Sequence, residues 1–272
     1  MTSSSKIVLI TGCSSGIGRD LARRLSHAGY RVVTTARDVA SLEELEVALK
    51  LPLDVTAPDS IAQAIDKTIQ EFGRIDVLVN NAGYAIRGVI QEVPIEEVQK
   101  MFDTNVFGAM RMIQAVLPYM CRQKSGRIIN VGSIAGKLVA PVNGAYSATK
   151  FSLEALSDAL RMEVSGFGIQ VVLVEPGNIR TNFMETSQSH SESVLASADS
   201  PYYRINQSYM QTMTHMRRKD PGPEIVSRVI QHAIETGHPK ARYLVAVPFT
   251  NRLAIILSDS LRDFMLKRFF RI

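Results

Sequence analysis

Ile7-Val8-Leu9-Ile10-Thr11-Gly12-Cys13-Ser14-Ser15-Gly16-Ile17-Gly18 is the stretch whose reading settles the fold. Four apolar residues without a polar break suit a strand buried on both faces, and the glycines after it suit a turn into a helix that starts near Ile17. Bare backbone at Gly12, Gly16 and Gly18 can approach phosphates, and the helix N-terminus offers unpaired N–H groups, so the turn reads as a cradle for a dinucleotide. The spacing is GxxxGxG and not GxGxxG, and glycines alone fit an ordinary strand-to-helix turn equally well. A rival pattern overlaps it. Gly12-Cys13-Ser14-Ser15-Gly16 satisfies the GxSxG of a hydrolase nucleophile elbow, with Ser14 as nucleophile. That order requires an acid and then a histidine downstream, from among His190, His215, His232 and His238, and none of these has the setting of a catalytic base. The turn also follows the first strand directly, which leaves no upstream segment for an oxyanion loop.

Outward from this stretch, short β-branched runs recur at 31–35, 75–79, 127–131 and 169–174, separated by longer segments of helical period. Strand alternating with helix implies parallel strands. The fold class expected is therefore α/β, one doubly wound parallel sheet of Rossmann type with helices on both faces, in a single domain over 1–272. Residues 182–222, rich in Ser, Met and Tyr, have no clear period and read as a lid over a substrate. A helix at 224–236 and a strand near 243–247 follow. The segment 249–272 reads as an amphipathic helix with Leu253, Leu257, Leu261, Phe264 and Phe269 near one face.

With 272 residues, 46% of them hydrophobic and 21% charged, the chain can bury a large core. Neither a signal h-region nor an apolar run of membrane-spanning length is visible. Cys13 and Cys121 lie far apart and outside any Cys/His cluster, which argues against a disulfide scaffold or a zinc site and fits a reducing cytosol; no metal is expected. The formal net charge of +5 is modest and not gathered into an arm, so nucleic acid is not an expected partner. Residues 249–272 carry Arg252, Arg262, Lys267, Arg268 and Arg271 against Asp259 and Asp263. A basic amphipathic helix of this kind packs on its own protein, joins an oligomer or touches a membrane surface.

Tyr146-Ser147-Ala148-Thr149-Lys150 carries the chemistry, with Ser133 upstream. Residues four apart on a helix share a face, so the phenol and the ammonium can meet in one site, where a neighbouring cation lowers a phenol from its ordinary pKa of about 10. Ser133 adds a hydroxyl able to polarise a carbonyl oxygen. Of the eight tyrosines, only Tyr146 is followed at the fourth position by Lys or Arg.

Thr11-Gly12-x3-Gly16-Ile17-Gly18, Asn80-Asn81-Ala82-Gly83, Asn105, Ser133, Tyr146-x3-Lys150 and Pro176-Gly177 together resemble the short-chain dehydrogenase/reductase family over about residues 6–182. The wording around 11–18 and 146–156 is similar to the branch of 17-beta-hydroxysteroid and retinol dehydrogenases. The resemblance implies an oxidoreductase in which Tyr146 is the general acid in carbonyl reduction, Lys150 lowers its pKa and holds the nicotinamide ribose, Ser133 binds the substrate oxygen, and Asn105 holds a water that links Lys150 to solvent. It also implies that Ser14, Ser15 and the glycine turn hold the pyrophosphate side, and that Asn81, Ala82 and Gly83 line the adenosine side. By the same resemblance Asp54, with Val55 beside it, would contact the adenine amine, and Pro176, Gly177 and Thr181 would close over the nicotinamide carboxamide and pyrophosphate. A homodimer or homotetramer through the helices that include 95–120 and 146–165 is implied as well.

The second run ends Thr34-Thr35-Ala36-Arg37. Ala36 stands where an NAD site places an acid, while Arg37 can pair with a 2′-phosphate, so the cofactor expected is NADP(H); the adjacent Asp38 points the other way. On the substrate side, Val139, Ala140, Pro141 and Val142, with Met184, Met210, Met213, Met216, Tyr202, Tyr203 and Tyr209, suggest a bulky apolar carbonyl or alcohol. A regulator that binds the dinucleotide without turnover is the alternative from a different class. A fully furnished site favours the enzyme.

Overall fold

The computed structural model describes residues 5–183, 186, 187, 191, 195, 198–217 and 220–272. Seven strands, β1 (Ile7–Ile10), β2 (Arg31–Ala36), β3 (Leu49–Pro52), β4 (Val77–Asn80), β5 (Gly126–Val131), β6 (Ile169–Pro176) and β7 (Arg242–Val245), form one sheet in the order β3-β2-β1-β4-β5-β6-β7. Every pair is parallel. The order reverses between β1 and β4, and the crevice beyond the strand ends at such a reversal is where ligands bind.

Alternation along the buried strands builds two cores. Val8, Ile10, Val77, Val79, Val172 and Val174 face one side and pack on α1 (Gly16–His27) through Leu21 and Leu25. Their neighbours Ile7, Leu9, Leu78, Ile128 and Val171 face the other side, against α2 (Pro58–Phe72) and, after α3 (Ile95–Phe102), against α4 (Gly108–Gln123) and α5 (Gly144–Glu163). Because the period of a strand is two, the central four-residue strands β1 and β4 each feed both layers.

Three features depart from the sequence reading. β3 was not legible: Leu49-Lys50-Leu51-Pro52 carries a lysine and a proline, which only an edge strand tolerates. The segment 182–222 contains a long helix, α6 (Tyr203–Arg217), whose Ile205, Tyr209, Met210 and Met213 pack near Val142 and Phe270; the polar residues among them mask the period. Met184 and His190 lie outside the described residues. After α7 (Glu224–Glu235), the expected single terminal helix is two, α8 (Phe249–Ala254) and α9 (Asp259–Phe270). Ser258, extended at φ −60° and ψ 152°, and Asp259 in the next first turn restart the helix, so Leu253 and Leu257 do not share a face with Leu261.

Candidate active site

The glycine turn is sewn to its neighbours by backbone and side chain. Cys13 N donates to Thr35 O at 2.8 Å, which ties the turn to β2. Thr11 Oγ1 accepts from Asn81 N and Ala82 N at 3.0 Å each, and Asn81 Nδ2 donates to Thr11 O and Gly12 O at 2.9 Å each. Gly12 has φ 73°, and a Cβ there would lie 2.8 Å from Ala82 Cα, so the turn admits no side chain at this point. Gly18 plays a different part from the one expected of it. It does not line the cleft; a Cβ on it would sit 2.4 Å from Gly12 O, so its bareness lets α1 close on the turn.

A cleft of about 1330 Å³ begins at this turn and runs to α9. Gly12, Ser14, Ser15, Gly16 and Ile17 line its first part, and Ser15 makes no side-chain cap, which leaves the first N–H groups of α1 to the cleft. Arg37, exposed beyond the end of β2, lines the same region and forms no ion pair among the described residues. Asp54 and Val55 stand nearby. Burial acts to raise the Asp54 pKa, but hydrogen bonds from Thr56 N (2.9 Å) and Oγ1 (2.7 Å), with the Arg37 charge, leave it below the ordinary carboxylate value. Asn81, Ala82 and Gly83, after β4, and Pro176, Gly177 and Thr181, at and after the end of β6, line the cleft as well.

Ser133, Tyr146 and Lys150 meet at the middle of the cleft. Ser133 caps a short turn after β5, its Oγ accepting from Ala135 N at 3.1 Å, and its side chain hydrogen-bonds Tyr146. Lys150 Nζ donates to Val131 O at 3.0 Å and lies 5.8 Å from the centroid of the Tyr146 ring. Burial pushes the Tyr146 phenol up to about 12, and the Ser133 hydrogen bond and Arg87 charge only partly oppose it. The phenol therefore stands above its ordinary value and not below it as the sequence reading expected, because burial outweighs the neighbouring charges. The same burial brings Lys150 down to about 8, because its one hydrogen bond is to a neutral carbonyl.

Asn105 also differs. It sits on a π turn, Asp103–Phe107, and its side chain is spent on Tyr84, accepting from Tyr84 N at 3.0 Å and donating to Tyr84 O at 2.8 Å, with Thr149 Oγ1 at 3.2 Å. It does not line the cleft. Its side chain clamps the loop after β4 to α5 with both Nδ2 hydrogens and one lone pair of Oδ1, so a water held by that side chain, as expected of it, would have to use the second Oδ1 lone pair. Arg87, Asn143, Leu266 and Phe270 line the cleft without having been foreseen. For α9 the signal was present, since Leu266 and Phe270 fall outside the exposed stripe and needed a partner; for Arg87 nothing in the sequence marked it.

The geometry gives the hydrolase reading no support. No histidine among the described residues lines the cleft beside Ser14. Cys13 is fully buried and raised to about 12 by that burial, which keeps its thiol inert.

A family model described as short chain dehydrogenase matches residues 6–192. This chain belongs to the short-chain dehydrogenase family. Human 17-beta-hydroxysteroid dehydrogenase type 1 is 36% identical over 268 residues, covering 93% of this chain and 81% of its own. A 3-ketodihydrosphingosine reductase of Bacteroides thetaiotaomicron is 44% identical over 180 residues, 66% of each chain. The crystal structure of a short-chain dehydrogenase from Streptomyces avermitilis superposes with a TM-score of 0.80 at 32% identity, covering 98% of this chain and 97% of that one. The family sheet and its single domain are those seen here. Among solved structures that share the fold, one is in complex with NAD and others with NADP.

Proposed function

We propose that the protein transfers hydride between NADP(H) and a carbonyl or secondary alcohol on a bulky, apolar molecule. One observation carries this reading: Ser133, Tyr146 and Lys150 converge on a single cleft whose other end is a helix N-terminus with a cation beside it. The cradle at 12–17 suits the pyrophosphate, Asn81–Gly83 and Asp54 the adenosine, and Pro176, Gly177 and Thr181 the nicotinamide end. When bound there, the cofactor supplies or accepts the hydride. The chain's own residues handle the proton. A phenol near 12 stays protonated at neutral pH, so Tyr146 can give its proton to the developing alkoxide, while Ser133 Oγ donates to the same oxygen. The Lys150 ammonium then faces a phenolate in a water-poor site, where its field stabilises the product of the transfer. Asn105 positions the loop after β4 and touches no reacting atom.

Two relatives whose names specify a steroid and a sphingoid base support the apolar class, as do Leu138, Phe183, Tyr209, Met213 and Leu266 along the far part of the cleft. Exposed Phe107, Phe151 and Met162, in or beside α4 and α5, suit the contact of a homodimer or homotetramer. Two unpaired cysteines suit a reducing cytosol.

Parallel titrations with NADPH and NADH test the cofactor. NADPH should bind more tightly, and Arg37→Glu should weaken NADPH by roughly 10- to 100-fold, the scale of a lost charge-assisted contact, with NADH nearly unchanged. Equal losses would remove Arg37 from the 2′-phosphate, and tight NADPH binding without turnover of any carbonyl would favour the regulator.

A further inference from the structure

α9 is apolar on two sides. Leu266 and Phe270 pack inward, Phe270 stacking on Tyr209 at 5.8 Å within the cluster that includes Val142. Leu261, Phe264, Met265 and Phe269 fall at spacings of three, four and eight residues and cover about 140° of the helix surface, yet they are 48%, 63%, 39% and 52% exposed. Ile272, just past the helix, is 42% exposed. Such a stripe has no counterpart within the described chain. Charge is ordered around it: Arg262 borders one side, Lys267 and Arg271 the other, and Arg268 lies within it, while Asp259 and Asp263 sit on the side away from it. Phe264, Met265, Arg268 and Phe269 also line the cleft, so the stripe is the outer lip of the substrate end.

We propose that this lip docks on an anionic lipid surface, placing the substrate end of the cleft against the bilayer from which an apolar substrate enters. The proposal rests on the apolar-substrate reading above. Apolar side chains between flanking cations match acyl chains beneath anionic headgroups, with the Lys and Arg stems lying along the apolar face and their charges at phosphate level. A second copy fits less well, because a two-fold contact brings the flanking cations of both copies together. No helix among the described residues is long and apolar enough to cross a membrane, so contact would be made from the surface.

Cosedimentation of the full chain with vesicles of phosphatidylcholine, alone or with roughly a third phosphatidylserine, tests this. Binding should be at least about 10-fold stronger with phosphatidylserine and should fall in high salt. Lys267→Glu/Arg271→Glu should abolish the preference, and Leu261→Ser/Ile272→Ser should weaken binding at either composition by about 10-fold or more, with turnover of a water-soluble carbonyl and the melting temperature retained. Equal binding to both vesicles, or none, overturns the proposal. So does a dimer, seen by light scattering, that Leu261→Ser/Ile272→Ser dissociates. Absence of turnover on every carbonyl would defeat the oxidoreductase reading and leave the vesicle result standing by itself.

Discussion

Tyr146 and Lys150 stand one turn apart on α5, and burial moves their proton affinities in opposite directions, the phenol to about 12 and the ammonium to about 8. Both shifts follow from one cause, since a water-poor site disfavours whichever form is charged. Tyr146→Phe should lower kcat by about 10²- to 10⁴-fold while leaving NADPH affinity within about twofold, as steady-state rates and a binding titration would show. As pH rises through about 8, Lys150 loses its proton and with it the field that stabilises the phenolate. A fall in kcat/KM centred near pH 8 is therefore expected, and Lys150→Met should lower the plateau and erase the limb. The sequence made this trio legible because type and spacing suffice to put two side chains on one helical face. It did not make the direction of the phenol shift legible, because that depends on how much water the folded site excludes. Gly18 was misplaced for a related reason: a glycine spared for packing and one spared for a ligand look alike until the neighbouring atoms are known.

At the scale of elements, α5 is tied to the two segments that flank the site. Lys137, four residues after Ser133, places Nζ 3.2 Å from Glu154 Oε2 and 3.3 Å from Glu175 Oε1. Arg242 on β7 reaches Glu154 at 3.1 Å and bridges to Asp158. Glu175, fully buried and next to Pro176, is pushed up to about 8, first by burial and then by the neighbouring Glu154 carboxyl, with Lys137 opposing. Its folded value lies above the ordinary carboxylate value of 4.5, so the unfolded chain gives up this proton first as pH rises. The stabilisation is complete below about pH 4.5 and is lost progressively up to about 8. Glu175→Gln should remove that slope, raising the melting temperature at pH 8.5 by a few degrees relative to the parent and much less at pH 5. It should also retain the alkaline limb of kcat/KM, which separates it from Lys150. None of this network was legible, because its members lie far apart in sequence and each resembles a surface charge. The strands buried on both faces were legible from their unbroken apolar runs, whereas β3 and α6 were not, one an edge strand interrupted by lysine and proline and the other a helix whose partners are distant in the chain.

The whole molecule inherits a constraint from its strand order. β1 is hydrogen-bonded on one side to β2 and on the other to β4, and its four residues are buried on both faces. On a ribosome, β2 follows β1 within a few tens of residues, whereas β4 begins only at Val77, after α2 has been made. Until then the emerging chain presents Ile7–Ile10 with one edge open, and an unpaired apolar strand edge is a template for pairing with other chains. Substitutions that slow the arrival or docking of β4, such as Leu78→Ala at the fully buried centre of that strand, should therefore reduce soluble yield during synthesis at 37 °C more than the expected loss of about 2–5 kcal/mol in the purified protein accounts for, as pulse-labelled solubility set against a denaturant melt would reveal. The crevice beside β1 and β4 that gives the molecule its binding cleft thus lies at a seam that can close only once β4 has been made.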